Sequence, residues 1–331
     1  MGRRIHAEST RTMFMIVDNH TPARRDAESK MSQPTHAKAR AHAGKRALLL
    51  AALLLLGAGT LVATSAARAG LLGNLLPRLV PVTVQASGDT ATVQVKLLDQ
   101  SLADLTLNFD DATGLTPAAL GIGAQLVPLT DPTLLARFPA GSLTAIPSAL
   151  PLMITVEPPR LGGLVQRRLV HVELHTHALP YTTASPLRLF KAQLGGKFRD
   201  ITESVRPGSV RTRGTTPGWS QFVVVADLRP TQQVVAEKFA ALSATLDAVA
   251  PAEAAPLRTE LDACQQAVDD GRFEDASVAL DSFVARVSER AGSTIPDTWR
   301  ATRDTRNLAG ELLSGASTLG FSIGVLRDVG N

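Results

Sequence analysis

At Arg229-Pro230 the apolar residues change their spacing from every second position to every third or fourth, so one polypeptide has to build two kinds of structure. Over residues 79–227, short alternating runs are separated by Pro, Gly, Asp and Thr. TATVQVKLL sets Val93, Val95 and Leu97 on one face and Thr92, Gln94 and Lys96 on the other; DLTLNF repeats this with Leu105, Leu107 and Phe109. Such alternation belongs to half-buried strands. PVTVQA, LMITVEP, RLVHVELHT, LRLFKA and SQFVVVAD supply further strands at intervals suited to an antiparallel sandwich, with room for one short turn or helix within 117–126.

Beyond Pro230, Val234, Val235, Phe239, Leu242 and Leu246 recur at helical spacing, with Thr231 placed to cap the helix and Pro251 just past its end. A second helix is expected over 254–270, ending at Gly271, and a third over 274–290 with Ala276, Leu280, Phe283, Val284 and Val287 as its apolar stripe. Ile295-Pro296-Asp297 reads as the opening of a last helical region. No repeat and no low-complexity linker is evident, and the short 228–231 junction puts the helices near or against the strands. The expected fold is mainly β plus α: an antiparallel Ig-like β-sandwich over 79–229, followed by a small C-terminal helical bundle over 231–328.

Upstream, Lys45-Arg46 precedes the run ALLLAALLLLGAGTLVATSAARA, with small residues at Ala67 and Ala69. A basic start, an apolar centre and a small-residue cut describe a signal peptide over 45–69. An uncleaved anchor fits less well, because the apolar stretch is about 17 residues, the short limit for a span, and is interrupted by Gly57 and Gly59. Residues 1–44 are too long and polar for an ordinary basic start, so they are either a leader or a misassigned beginning ahead of Met31 rather than Met1. The arginine pairs at 3–4 and 24–25 lie far from the apolar run, which favours the general secretory route, to the periplasm or the cell exterior.

The basic pI near 9.6 suggests nucleic acid or a membrane surface. Residues 1–69 hold 11 of the 34 Lys+Arg but 4 of the 30 Asp+Glu, leaving 23 basic against 26 acidic residues and a net charge of −3 for the remainder. Nucleic acid thereby loses its electrostatic argument. Cys264 is the only cysteine, so the chain depends on its apolar core rather than a disulfide. Within LDACQQAV it reads as a small buried helix residue.

Two segments carry resemblances. LRLFKAQLGGKFRDITESV, the turn-rich PGSVRTRGTTPG and then WSQFVVVAD resemble the closing strands of β-sandwich domains in bacterial surface and exported proteins, through Leu189, Phe190, Gly196, Phe198, Asp200, Thr202, Ser220, Phe222 and Val224. The stretch from LDACQQAV to STIP resembles FIMAH-type helical modules of secreted bacterial proteins, through Ala267, Gly271, Ala276, Leu280, Phe283, Val287 and Gly292, with Ser293 where those modules usually have Lys. The order of leader, sandwich and helices is similar to a family of uncharacterised exported proteobacterial proteins. These resemblances imply fold and location, and no activity.

HVELHTH, residues 171–177, holds every histidine beyond the leader. On a strand, His171, Glu173, His175 and His177 share one face while Val172, Leu174 and Thr176 share the other. His175 and His177 would lie about 7 Å apart at Cα, a workable chelate, whereas His171 would be about 13 Å from His175. A catalytic zinc needs three protein ligands, so the pair would need a carboxylate from elsewhere, with Glu173 a strained helper. The preferred alternative is the solvated face of an antiparallel strand.

Other chemistry fails on spacing. GIGAQL misses the dinucleotide-loop pattern, LGGKF the phosphate-loop pattern and GASTLG the nucleophile elbow, and a serine triad would have to draw its base from the histidine strand. Asp110-Asp111 and Asp269-Asp270 read as turn or capping acids. Gly320-x-x-x-Gly324 suits a membrane helix, but Glu311 and the Ser and Gly content favour a terminal helix docked on the protein, with no membrane span left after cleavage. The expectation is an exported, non-catalytic binding, adhesion or structural protein. Its partner would be a protein or cell-envelope glycan, and it would take no cofactor. A zinc-dependent hydrolase using His175 and His177 is the alternative.

Overall fold

The computed structural model describes residues 77–98, 100–182, 184–206, 210–219 and 221–330. The leader expected over 1–44, the signal peptide expected over 45–69 and Ser220 lie outside the described residues.

Strands β1 (Arg78–Val80), β2 (Val82–Ser87), β3 (Thr90–Leu97) and β4 (Gln100–Thr113) come first. They are followed by α1 (Pro117–Leu120), β5 (Ile122–Leu126), α2 (Pro132–Leu135), β6 (Thr144–Ala145), β7 (Leu152–Val156) and β8 (Val165–Thr176). Next are β9 (Leu187–Ala192), β10 (Arg199–Asp200), β11 (Thr202–Arg206), β12 (Val210–Thr216) and β13 (Gln221–Asp227). The chain then forms α3 (Thr231–Leu246), α4 (Pro251–Asp269), α5 (Phe273–Arg290), β14 (Thr298–Arg300) and α6 (Leu308–Val329).

Among the described residues the strands form two antiparallel sheets of seven. One runs β1-β5-β7-β13-β9-β10, with β6 beside β13; the other runs β11-β12-β8-β4-β3-β2, with β14 beside β8. Alternation explains how they meet. Val93, Leu105, Val172 and Leu174 of the second sheet share one core with Ile154, Leu189, Phe222 and Val224 of the first. On its other face the first sheet buries Met153, Phe190, Val223 and Val225 against Leu134 and Phe138, so β13 is apolar on both sides.

The sheets are joined at one corner by a strand that changes sheet. β10 pairs with β9, β11 pairs with β12, and only Ile201 separates them. Such switching makes corners between layered sheets. Ile201 N donates to Leu189 O at 2.9 Å, and the Thr202 hydroxyl accepts from Leu189 N at 2.8 Å. Gly214 opposes Thr202, and a Cβ added there would lie 2.0 Å from the Ile201 carbonyl oxygen, so the corner needs glycine at that position.

The helices close over that corner. α4 ends at Gly271, whose φ of +71° is the left-handed conformation glycine accepts, and Arg272 N returns to Ala267 O at 2.8 Å. Leu257, Leu261, Cys264, Ala276, Phe283 and Leu319 fill a second core. α6 packs on α3 and α5 and runs along β8, β11 and β12. By length and composition α6 could also cross a membrane, and half of it is buried here. Its Thr318 and Ser322 turn inward onto Lys238 of α3. The Lys238 ammonium donates to Asp200 Oδ2 at 2.7 Å, Thr318 Oγ1 at 2.6 Å and Ser322 Oγ at 2.8 Å, and Thr318 Oγ1 donates to Thr202 O at 2.9 Å. Burial alone would raise the Asp200 carboxyl; the Lys238 charge and the bonds from Lys238 and Thr202 hold it below the usual carboxylate range.

Several sequence expectations need correction. PGSVRTRGTTPG is not wholly turn, because 210–216 forms β12 between β8 and β11. The region opened by Ile295-Pro296-Asp297 is not helical. Thr298–Arg300 is drawn into ladder pairing with Arg167, Gln166 and Val165, and the last helix waits until Asn307, whose Oδ1 accepts from Gly310 N at 2.7 Å. Thr231 is the first residue of α3 rather than its cap, and Pro230 before it supplies no capping side chain. Asp110 and Asp111 lie at a bulge in β4, not a turn, where they meet His171 and Arg167 of β8.

Three stability measurements test this account. Gly214→Ala should lower stability by about 1–3 kcal/mol, read from the denaturant midpoint. Lys238→Met should cost about 3–5 kcal/mol by leaving Asp200 buried and unpaired, and adding Asp200→Leu should recover part of that loss. Because the folded carboxyl titrates below its unfolded value, the Asp200 contribution is present above pH about 4 and fades as pH falls below it. Urea midpoints at pH 7, 5 and 3 should therefore converge for wild type and Asp200→Asn.

Candidate functional site

The histidine strand lies in β8 between β4 and β12. Val172, Leu174 and Thr176 are buried, and His171, Glu173, His175 and His177 face outward, as alternation requires. Register sets Asp104 and Arg211 on either side of His175, and Thr106 and Arg213 on either side of Glu173. Glu173 is held by Arg211 at 3.2 Å and by Arg213. His171 Nε2 lies 3.1 Å from Asp110, His175 Nδ1 lies 3.8 Å from Asp104, and the His175 and His177 rings meet edge-on with centroids 4.6 Å apart. Burial, then the charges of Arg211 and His177, lowers the His175 imidazole below its usual value. Two guanidiniums thus occupy Glu173, the carboxylate on the histidine strand itself. Among the described residues no group of three His, Cys, Asp or Glu side chains could hold a metal ion.

Cys264 is buried in α4, and desolvation pushes its thiol up to about 11, which removes thiolate character. Asp270 sits at the end of α4, bonded to Arg272 and Gln266.

A larger concavity lies elsewhere among the described residues. A half-open cleft of about 1200 Å³ lies where β9, β10 and β12 meet α3, α6 and the β14 segment. That is above the usual range for small-molecule sites, about 300–1,000 Å³, so the space admits more than a single ion. Both tryptophans of the chain, Trp219 and Trp299, line it with ring centroids 6.3 Å apart. So do three of the four lysines beyond residue 69: Lys191, Lys197 and Lys238.

The lining carries seven Lys and Arg against four Asp and Glu. Each carboxylate is already engaged: Asp200 by Lys238, Glu237 by Arg229, Glu311 by Arg306 and Glu157 by Arg303. Among the described residues, no carboxylate lies within ion-pair distance of Lys191, Lys197 or Arg199. Lys191 donates to the Thr216 hydroxyl, which in turn donates to Gly218 O. Register places Arg199 directly opposite Lys191, on the same face of the ladder. Desolvation pushes the Lys191 ammonium down to about 8, against the raising field of Glu311 and with the help of Arg199. Two polar atoms of the lining, Trp219 Nε1 and Thr305 Oγ1, are buried without a hydrogen-bond partner among the described residues.

Sequence reasoning missed this cleft, because its walls come from segments as far apart as β9 and α6. A signal existed in KAQLGGKFR, which puts Lys191, Lys197 and Arg199 in nine residues of a chain that is net acidic beyond its leader.

Lys191 should become reactive at mildly alkaline pH. Trace acetylation followed by peptide mapping should give half-maximal modification near pH 8 at Lys191, whereas an ordinary lysine reaches it near about 10.4.

A search of known families matches residues 57–327 to one described as a family of unknown function (DUF6689). No curated protein and no solved structure matches the chain.

Proposed function

Because the chain belongs to DUF6689, a family of unknown function, its role has to be read from its own residues, and we propose that it is an exported, non-catalytic binding protein whose site is the cleft between β9, β10, β12 and the helices. The observation that carries this reading is the cleft itself, large and lined by two tryptophans and cations in excess of carboxylates. Binding sites are typically concave, partly apolar and supplied with a few convergent polar groups. All four carboxylates here are held in ion pairs, Lys191 is bonded to a hydroxyl and Lys197 to the Ala136 carbonyl. The two threonine hydroxyls that meet lysines in the cleft give their protons to backbone carbonyls, Thr216 to Gly218 O and Thr318 to Thr202 O, which suits recognition better than turnover.

In this reading the two sheets are an Ig-like β-sandwich, the helices are a FIMAH-like module, and the relatives are exported proteobacterial proteins. The apolar run before Ala69 is a cleaved signal peptide. The ligand belongs to the periplasm or the cell exterior, as a cell-envelope glycan or a protein would. The net charge of −3 over residues 70–331 argues against nucleic acid.

Two measurements test the proposal. Intact mass of the chain recovered from the periplasm or medium of an expressing cell should correspond to residues 70–331; an unprocessed chain confined to the cytoplasm would remove the export half. Elemental analysis of that untagged chain should find no stoichiometric metal. One equivalent of zinc, lost in the double variant His175→Ala/His177→Ala, would replace the non-catalytic reading with a metal-dependent hydrolase.

A further inference from the structure

We propose that the cleft binds its ligand through an acidic group, a carboxylate or a phosphate, seated between Lys191 of β9 and Arg199 of β10. This rests on the cleft being the binding site and names the chemistry it selects.

The first argument is the register. Lys191 and Arg199 are directly opposed partners of an antiparallel pair, a placement that brings Cβ atoms within about 5 Å and makes like charges repel. Four of the other five cations of the lining have an acid, Lys238 with Asp200, Arg229 with Asp227 and Glu237, Arg303 with Glu157 and Arg306 with Glu311, and the fifth, Lys197, donates to the Ala136 carbonyl. Lys191 and Arg199 face each other without an acid in ion-pair distance among the described residues; the ammonium donates to Thr216 Oγ1 and feels the field of Glu311, whose carboxylate is held by Arg306. An anion between them would turn a repulsive pair into two charge-assisted hydrogen bonds.

The second argument is what surrounds the pair. Trp299 is partly exposed in the cleft wall beside the buried Trp219, whose indole N–H lacks a partner among the described residues. A ligand with an acidic group and a flat or ring-bearing body would meet both features. The volume fits such a molecule, whereas a lone inorganic ion would leave most of it to water. Desolvation, which holds the Lys191 ammonium near 8, is also what strengthens its attraction for an anion.

The chain provides its own reporter, since both of its tryptophans line the cleft. The full chain would be titrated, by tryptophan fluorescence, with citrate, with inorganic phosphate and with the neutral probe N-phenyl-1-naphthylamine. The expected result is a saturable change with citrate, phosphate or both, which tells the carboxylate source from the phosphate source. Affinity should weaken about tenfold or more in Lys191→Met and in the exposed-site variant Arg199→Ala, and stay unchanged in Lys96→Met, outside the cleft. If Lys191→Met fails to fold, Arg199→Ala decides. Anion affinity should also fall as pH rises from 7 to 9, as Lys191 loses its proton while facing Arg199 from β10 and Glu311 from α6. An affinity that is flat with pH, or equal in wild type and both cleft variants, would overturn the seat. Saturable binding of the neutral probe with neither anion binding would overturn the acidic ligand while leaving the cleft as a binding site. If none of the three probes binds, the cleft reading falls as well.

Discussion

One buried ammonium ties together the parts on which everything else rests. Lys238 projects from α3 and meets Asp200 at the edge of the first sheet, and Thr318 and Ser322 on α6. Thr318 in turn reaches the Thr202 carbonyl at the edge of the second sheet. A charge in so dry a place is tolerated only if it is paired and fully hydrogen-bonded. The pair therefore contributes less to net stability than to uniqueness: α3 and α6 have one arrangement over the corner in which Lys238 finds all its partners. Because Asp200, Lys238 and Thr318 also line the cleft, the cavity exists only when the helices are docked in that arrangement.

The corner depends on local chemistry that serves both sheets. Asp200 accepts from Thr202 N at 2.8 Å and from Lys238, so one carboxylate holds the turn from β10 to β11 and anchors the helices. Gly214 lets β12 approach the Ile201 carbonyl. Arg229 repeats the pattern at the junction between the halves, binding Asp227 behind it and Glu237 ahead of it. These two clusters make the short 228–231 link a fixed joint rather than a swivel.

What could be read in the sequence follows from the range of the interactions. Val93, Val95, Leu105, Leu107 and the HVELHTH strand declare themselves by alternation, a signal that needs only neighbours in sequence. The helices around Phe239, Cys264 and Phe283 do so by their stripes. Gly271 and Gly292, two of the residues behind the helical resemblance, adopt positive φ, while Ala267, Ala276, Leu280, Phe283 and Val287 are buried. The misses are of another kind. RTRGTT carries Gly214 and two arginines and looks like turn, yet it becomes a strand because β8 and β11 offer it ladders on both sides. Thr298–Arg300 is extended because β8 has a free edge there, a fact absent from its own residues.

The same distinction explains why histidines attracted the functional reading and lysines did not. HVELHTH is conspicuous because it is contiguous, but strand geometry spreads its side chains along a solvated face, where Arg211 and Arg213 claim Glu173. The cleft is assembled from β9, β10, β12, β14, α3 and α6, and no window of sequence contains it. Its sign also differs from that of the chain around it. Residues 70–331 carry three more acids than bases, whereas the cleft lining carries three more bases than acids. At a physiological Debye length of about 8 Å, distant surface acids are screened, while charges inside the cleft act on whatever enters it. The local excess therefore governs recognition even in an acidic protein, and a chain that needed only to neutralise its own charges could have placed one of its many carboxylates opposite Lys191 instead of Arg199.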